Sequence, residues 1–226
     1  MNNGYRLLIF DWDGTLMDSV SHIVDSFQKA IVDLALEARS DEAIRNIIGL
    51  GLTEAIDRLY PGRDAAFHEQ LVECYRHHYL PAGPSPTELF PGAETTLRAL
   101  HAEGYVLAVA TGKGRRGLDK VLVETGLGEL FVTTRCADES RSKPHPQMLH
   151  EIMAETGIGA EYTVMIGDTE FDMEMARNAG VTGLGVSYGV HSCTRLARHE
   201  ISGCLDSIAE LGGWLDNGVS LTQGAA

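Results

Sequence analysis

From residue 93 to residue 186 one pattern repeats: a segment with helical period, then a short apolar run. The segments 93–102, 115–124, 146–156 and 170–179 read as helices. The runs 105–110, 130–135, 163–166 and 181–186 read as buried strands. Strands separated by helices cannot form hairpins. They pair in parallel through crossovers, so the pattern predicts an α/β fold: a parallel sheet with helices on both faces. Residues 5–10 form one more apolar run, and Cys204-Leu205 a last short strand before a helix from Ser207.

The segment 17–80 breaks the alternation. Its spacing predicts helices over 19–36, 41–48, 53–60 and 64–79, with no convincing strand. Pro81, Pro84, Pro86 and Pro91 then crowd together. Proline fixes the backbone and stops helices, so this is the natural boundary. At about 150 residues per domain, 226 residues suit one large domain or one with an insert. The expected division is a core of residues 1–16 and 87–226 and an inserted helical cap of residues 17–86. The stretch 219–226 reads as a frayed tail.

Lys and Arg number 18 against 32 Asp and Glu, a net charge of −14. Polyanion and anionic-membrane binders need a basic face, so neither nucleic acid nor a membrane is an expected partner. No apolar run approaches the roughly 20 residues of a spanning helix. The Met1-Asn2-Asn3-Gly4 start lacks a basic signal-peptide region. Cys74, Cys136, Cys193 and Cys204 form no C-x-x-C pair and no zinc-ligand spacing. They are expected to be reduced thiols in a cytoplasmic protein, monomer or homodimer.

Acidic residues carry the chemistry. Asp11-Trp12-Asp13-Gly14 follows the first strand directly. Two carboxylates there repel each other, and a cation would relieve them. Oxygen ligands suit Mg²⁺. Gly167-Asp168-Thr169-Glu170-Phe171-Asp172 follows another strand, with Glu170 expected to face solvent. Thr111-Gly112 and Lys143 follow two more. Open α/β sheets bind ligands at the carboxyl ends of their strands, so these groups should converge. A nucleophile, Mg²⁺ and donors for equatorial oxygens are the parts phosphoryl transfer needs. Two other motifs fail. The run from Asp11 has Leu16 where an EF-hand loop needs Gly, and His22 where it needs Glu. Gly112 and Gly117 have Walker A spacing, but Leu118-Asp119 replaces its Lys-Ser/Thr. Lys113, Arg115 and Arg116 read as a solvated helix start, and His145 and His77-His78 as structural or surface groups.

These motifs resemble the haloacid dehalogenase superfamily. Asp11-Trp12-Asp13-Gly14-Thr15-Leu16 is similar to its first motif, Thr111-Gly112 to the second, Lys143-Pro144 to the third and Gly167-Asp168-Thr169-x-x-Asp172 to the fourth. The helical insert resembles the small cap of the phosphoglycolate phosphatase-like branch, which implies a cap closing over a Rossmann-like core, with Gly49-Leu50-Gly51-Leu52 at the place of the cap's specificity loop. The resemblance implies a Mg²⁺-dependent phosphatase acting on a small phosphorylated metabolite such as phosphoglycolate, a sugar phosphate, a nucleotide or pyrophosphate. Asp11 would be the nucleophile and Asp13 the acid and base. Thr111, Gly112 and Lys143 would hold the phosphate. Asp11, the Asp13 backbone carbonyl and Asp168 would hold the metal. Asp172 would orient metal-bound water or Lys143. The alternatives are a β-phosphoglucomutase-like isomerase, which usually carries Glu-Asp at the fourth motif, and a receiver-like signalling module, which is about half this length.

Overall fold

In the computed structural model, residues 4–80 and 87–217 are described. Three of the four boundary prolines, Pro81, Pro84 and Pro86, and the stretch 219–226 lie outside them. The chain opens with β1 (Leu7–Phe10), β2 (Met17–Asp18) and the helices α1 (Val20–Asp33), α2 (Asp41–Arg45), α3 (Leu52–Leu59) and α4 (Ala65–Tyr79). Then come β3 (Glu88–Leu89), α5 (Ala93–Ala102), β4 (Val106–Thr111), α6 (Arg115–Thr125), β5 (Phe131–Cys136) and α7 (Gln147–Thr156). The chain continues with β6 (Thr163–Gly167), α8 (Glu170–Ala179), β7 (Thr182–Val186), α9 (Cys193–Leu196), β8 (Cys204–Leu205) and α10 (Leu211–Asn217).

Six strands form one parallel sheet in the order β5-β4-β1-β6-β7-β8. The order turns about β1. After β1 the chain builds outward through β4 to β5, then crosses to β6 on the other side. A crevice opens where the strand order reverses, at the carboxyl end of β1. Phe10 is level with Val109 of β4 and Ile166 of β6, so Asp11, Thr111 and Asp168 leave the sheet side by side. Alternation along β1 sends Leu8 and Phe10 into one apolar layer and Leu7 and Ile9 into the other.

Helices α1–α4 pack on a separate apolar cluster that includes Phe27, Ile44, Ile56 and Leu71. Phe171 is the buried residue that joins it from α8.

Two expectations need correction here. The segment after residue 17 does hold a strand. Met17 and Asp18 pair antiparallel with Leu89 and Glu88, a ladder closing the two ends of the helical insert. Two residues carry no readable alternation, so only the partner segment makes them a strand. The cysteines are not all reduced: Cys193 and Cys204 form a disulfide with their Cα atoms 6.0 Å apart. Cys74 and Cys136 are free. Nothing in a spacing of eleven residues marks the pair; the turn from α9 back to the sheet edge brings it together. Among the described residues no helix is long and apolar enough to cross a membrane.

Candidate active site

Asp11 leaves β1 at the buried sheet edge, 1% exposed. Its Oδ1 accepts from the Trp12 N–H at 2.7 Å and pairs with Lys143 Nζ at 2.9 Å. Its Oδ2 is buried with no hydrogen-bond partner among the described residues. Lys143 also reaches Asp172 Oδ1 at 2.6 Å, and its side chain is fully enclosed. Asp172 Oδ2 accepts from the Thr169 N–H at 3.0 Å and its hydroxyl at 2.6 Å, closing a capping box on α8. Asp168 Oδ1 accepts from Thr15 Oγ1 at 2.8 Å, and Oδ2 from the Val190 N–H at 2.8 Å.

Asp11, Asp168 and Asp172 each offer an oxygen within 4.8 Å of the others. Three buried carboxylates share one ammonium, a deficit of two charges when all are ionised. Burial drives the Asp11 carboxyl up to about 7; Lys143 pulls against it and Asp172 adds to it. Burial, then Asp11 and Asp172, hold Asp168 well above the carboxylate range. Burial works against the Lys143 charge, but Asp11 and Asp172 outweigh it and push Lys143 to about 12. A divalent cation fits such a set in charge and in ligand chemistry. Backbone makes the set possible. A Cβ on Gly14, whose φ is +82°, would lie 2.3 Å from Asp168 Oδ2.

Asp13 has its own counter-charge, which corrects the sequence reading of Lys113. Lys113 is not solvated: its side chain is 4% exposed and its Nζ lies 2.9 Å from Asp13 Oδ2. Lys113 also donates to the hydroxyl of Tyr79, the last residue of α4. That hydroxyl is 3.5 Å from Asp13 Oδ1, and Ser19 Oγ donates to the same oxygen at 2.6 Å. Burial, then Asp13, hold the Tyr79 phenol well above its usual range, so it stays a neutral donor. Arg115 instead pairs with Glu139 at 2.7 Å and Asp119 at 3.1 Å, and Arg116 is exposed.

Thr111 is buried, and its hydroxyl accepts from the Lys113 N–H at 3.2 Å. Gly112 is required by the helical insert. A Cβ there would lie 2.5 Å from the Gly49 carbonyl oxygen and 2.6 Å from that of Leu50. The Gly49-Leu50-Gly51-Leu52 turn therefore rests directly on the end of β4. Its Gly51 N–H donates to Ser142 Oγ at 2.8 Å.

Glu170 does not simply face solvent. It forms a two-pronged ion pair with Arg195, whose other nitrogen reaches Asn46 Oδ1 of the helical insert. Ser19, Tyr79 and Arg195 were missed by reading the sequence, and Lys113 was placed in solvent. Lys113 had one local signal, its place two residues beyond Thr111 at a strand end. Away from this site, α4 and α1 bring Asp33, Cys74 and His78 together, and the His78–Asp33 pair spans 2.7 Å. Their positions in the chain have no ligand spacing.

The strand ends and the insert enclose a cavity of about 500 Å³. Asp11, Asp13, Thr111 and Lys113 line one side, and residues of α1, α3 and α4 the other. A cluster of buried acids at the strand ends of a Rossmann-like sheet, roofed by a helical insert, is the arrangement of a hydrolase-type enzyme. Residues 8–186 match the family described as haloacid dehalogenase-like hydrolase. The protein named "Probable phosphatase IndB" from Dickeya dadantii (strain 3937) is 37% identical over 213 residues, 92% of each chain. A phosphoglycolate phosphatase from Pseudomonas fluorescens (strain Pf0-1) is 30% identical over 224 residues, 91% of this chain and 82% of its own. The crystal structure of a hydrolase from Pseudomonas syringae superposes with a TM-score of 0.85 at 25% identity, covering 95% of this chain and 100% of that one. The chain belongs to the haloacid dehalogenase-like hydrolases and is a phosphatase-type member of them. That membership sets the receiver-module reading aside.

Proposed function

We propose that the protein hydrolyses a small phosphate monoester with Mg²⁺, passing the phosphoryl group first to Asp11 and then to water. One observation carries the reading. Asp11 Oδ2 is buried without a partner among the described residues, amid carboxylates two charges short of neutral. An acceptor so costly to leave bare is reserved for a ligand. The Asp11 carboxylate, the Asp13 backbone carbonyl and Asp168 would hold Mg²⁺, whose charge when bound would offset theirs and that of the phosphate.

The protein groups divide the remaining work. Lys143 holds Asp11 Oδ1 and leaves Oδ2 free to attack phosphorus. As that bond forms, the ester P–O bond breaks and Asp13, carrying a proton taken from the entering phosphate monoanion, gives it to the departing oxygen. Asp13, now a carboxylate, takes a proton from water as the water attacks phosphorus. The P–Oδ2 bond breaks, phosphate leaves and Asp11 is restored. Thr111 and the Gly112 N–H serve the phosphoryl oxygens, with Lys143 as the neighbouring positive charge. Both oxygens of Asp172 already have protein partners, which supports a role in holding Lys143.

Hydrolysis is favoured over the isomerase alternative by one contact. A Cβ on Gly167 would lie 2.4 Å from Asp172 Cγ. The Glu that isomerases usually carry at that position therefore conflicts with an Asp at 172. The same reading treats residues 17–86 as a cap over a core of 1–16 and 87–226. The separate apolar cluster of α1–α4 supports that division. Lids of this kind exclude water from the reacting group.

The test is p-nitrophenyl phosphate turnover with Mg²⁺ and with EDTA, plus an acid quench and peptide mass analysis for phosphorylated Asp11. Turnover in EDTA, or turnover by Asp11→Asn, refutes the proposal.

A further inference from the structure

We infer that the alcohol half of the substrate carries a flat apolar ring, an inference that rests on the phosphatase reading above. A cavity of about 500 Å³ lies in the roughly 300–1,000 Å³ range of pockets that enclose sizeable ligands. A two-carbon phosphate ester would leave most of it to water.

The part of the wall nearest the acids is apolar, and the charged groups Glu73, Arg76, Arg116 and Asp138 lie at its exposed edge. Ile23, Phe27, Ile48, Leu50, Leu52 and Tyr75 face the cavity from the helical insert. An aromatic run lies along it. Phe27 and Tyr75 have ring centroids 4.4 Å apart, and Tyr75 and Tyr79 stack at 5.2 Å with 14° between planes. His22 stacks on Tyr79 at 4.8 Å. The run ends at the Tyr79 hydroxyl, which meets Asp13 and Lys113. Asp13 is the group that protonates the departing oxygen, so the alcohol must lie beside this wall as it leaves.

Other alcohols fit worse. A hydroxyl-rich sugar would turn its hydroxyls onto Ile, Leu and Phe side chains, and each unpaired hydroxyl costs binding energy. A short carboxylic acid would need a cation deep in the cavity, where Lys113 is already paired with Asp13. The exposed lining groups carry both signs, with Glu73 and Asp138 against Arg76 and Arg116, so they select no anionic tail. A flat ring buries apolar area against the side chains of Ile48, Leu50 and Leu52 and the aromatic edges beside them without leaving a polar group bare.

The experiment compares kcat/KM for 2-phenylethyl phosphate, ethyl phosphate, 2-phosphoglycolate and glucose 6-phosphate, all with Mg²⁺. All four are primary alkyl esters, so the comparison is of binding rather than of aryl leaving-group activation. The phenylethyl ester should exceed each of the others by at least about tenfold, chiefly through KM. Leu52→Asp, at the first position of α3 where an acid is tolerated, should bring the ratio to ethyl phosphate close to one. Turnover without a ring preference, or a preference for phosphoglycolate or the sugar ester, overturns this inference alone. No Mg²⁺-dependent turnover of any of the four overturns the phosphatase reading and this inference with it.

Discussion

Asp11→Asn should remove activity and, in EDTA, change the pH dependence of stability in a defined direction. The Asp11 carboxyl rises from 3.8 to about 7 on folding, first because it is buried. Between those values the folded chain binds more protons than the unfolded one. The carboxyl's contribution is therefore fully present below about pH 4 and is lost as pH rises through 7. Three units at about 1.4 kcal/mol each set the loss at about 4 kcal/mol. Asn resembles the protonated acid and does not titrate, so the variant escapes that loss. Its NH₂ takes the place of the unpartnered Oδ2, a cost of about 1–3 kcal/mol that does not vary with pH. The Asp11 charge also holds the Asp168 carboxyl up, and the variant relieves that too, in the same direction, so the stability of the variant minus that of the wild type should rise by at least about 4 kcal/mol from pH 4 to pH 8. His191 is pushed down to about 4, first by burial, and would stabilise the fold as pH rises from 4 to 6.5. It is present in both proteins and cancels in the difference. Urea unfolding in EDTA at four pH values measures it. A difference that is flat, or that falls with pH, refutes the buried-charge account of Asp11. Saturating Mg²⁺ should stabilise the wild type more than the variant.

Three other outcomes are expected. Lys113→Met should cut kcat on p-nitrophenyl phosphate at least about tenfold, since Asp13 loses its buried counter-charge, while Lys113→Arg retains more; equal activity of Met and wild type would show that the pair is idle. Asp172→Asn should cost about 1–3 kcal/mol in thermal or urea unfolding, because the amide cannot keep both the Thr169 and the Lys143 hydrogen bonds while Lys143 stays paired with Asp11; a stabilised variant would contradict that geometry. Reducing Cys193–Cys204, or replacing Cys193 by Ser, should lower stability by about 2–3 kcal/mol under unfolding in dithiothreitol and in its absence; no difference would place the pair as free thiols in solution.

Much of the fold could be read along the chain because its evidence is local. The boundaries of α5 and α8 were read to the residue, since an amphipathic period over ten residues and flanking glycines are contiguous signals. Helix α2 was read too long: 46–48 keep the apolar period but turn out of the helix to deliver the glycine turn onto β4. Glu170 read as solvent-facing because its partner, Arg195, lies 25 residues on.

The sequence by itself determined the α/β class, the helical insert and the convergence of Asp11, Asp13, Thr111, Lys143 and Asp168 on one sheet edge. Each of those residues lies at or beyond the end of a strand, and parallel strands all end at the same edge. Only the tertiary structure decided which charges neutralise which. Lys143 serves Asp11 and Asp172, Lys113 serves Asp13, and no group among the described residues serves Asp11 Oδ2. Charge pairing acts through space over about 3 Å, whereas the partners are separated by 29 to 132 positions. The same holds for Tyr79 and the cavity wall. Helical period says which residues of the insert are apolar, and only its packing on the core turns them toward the acids.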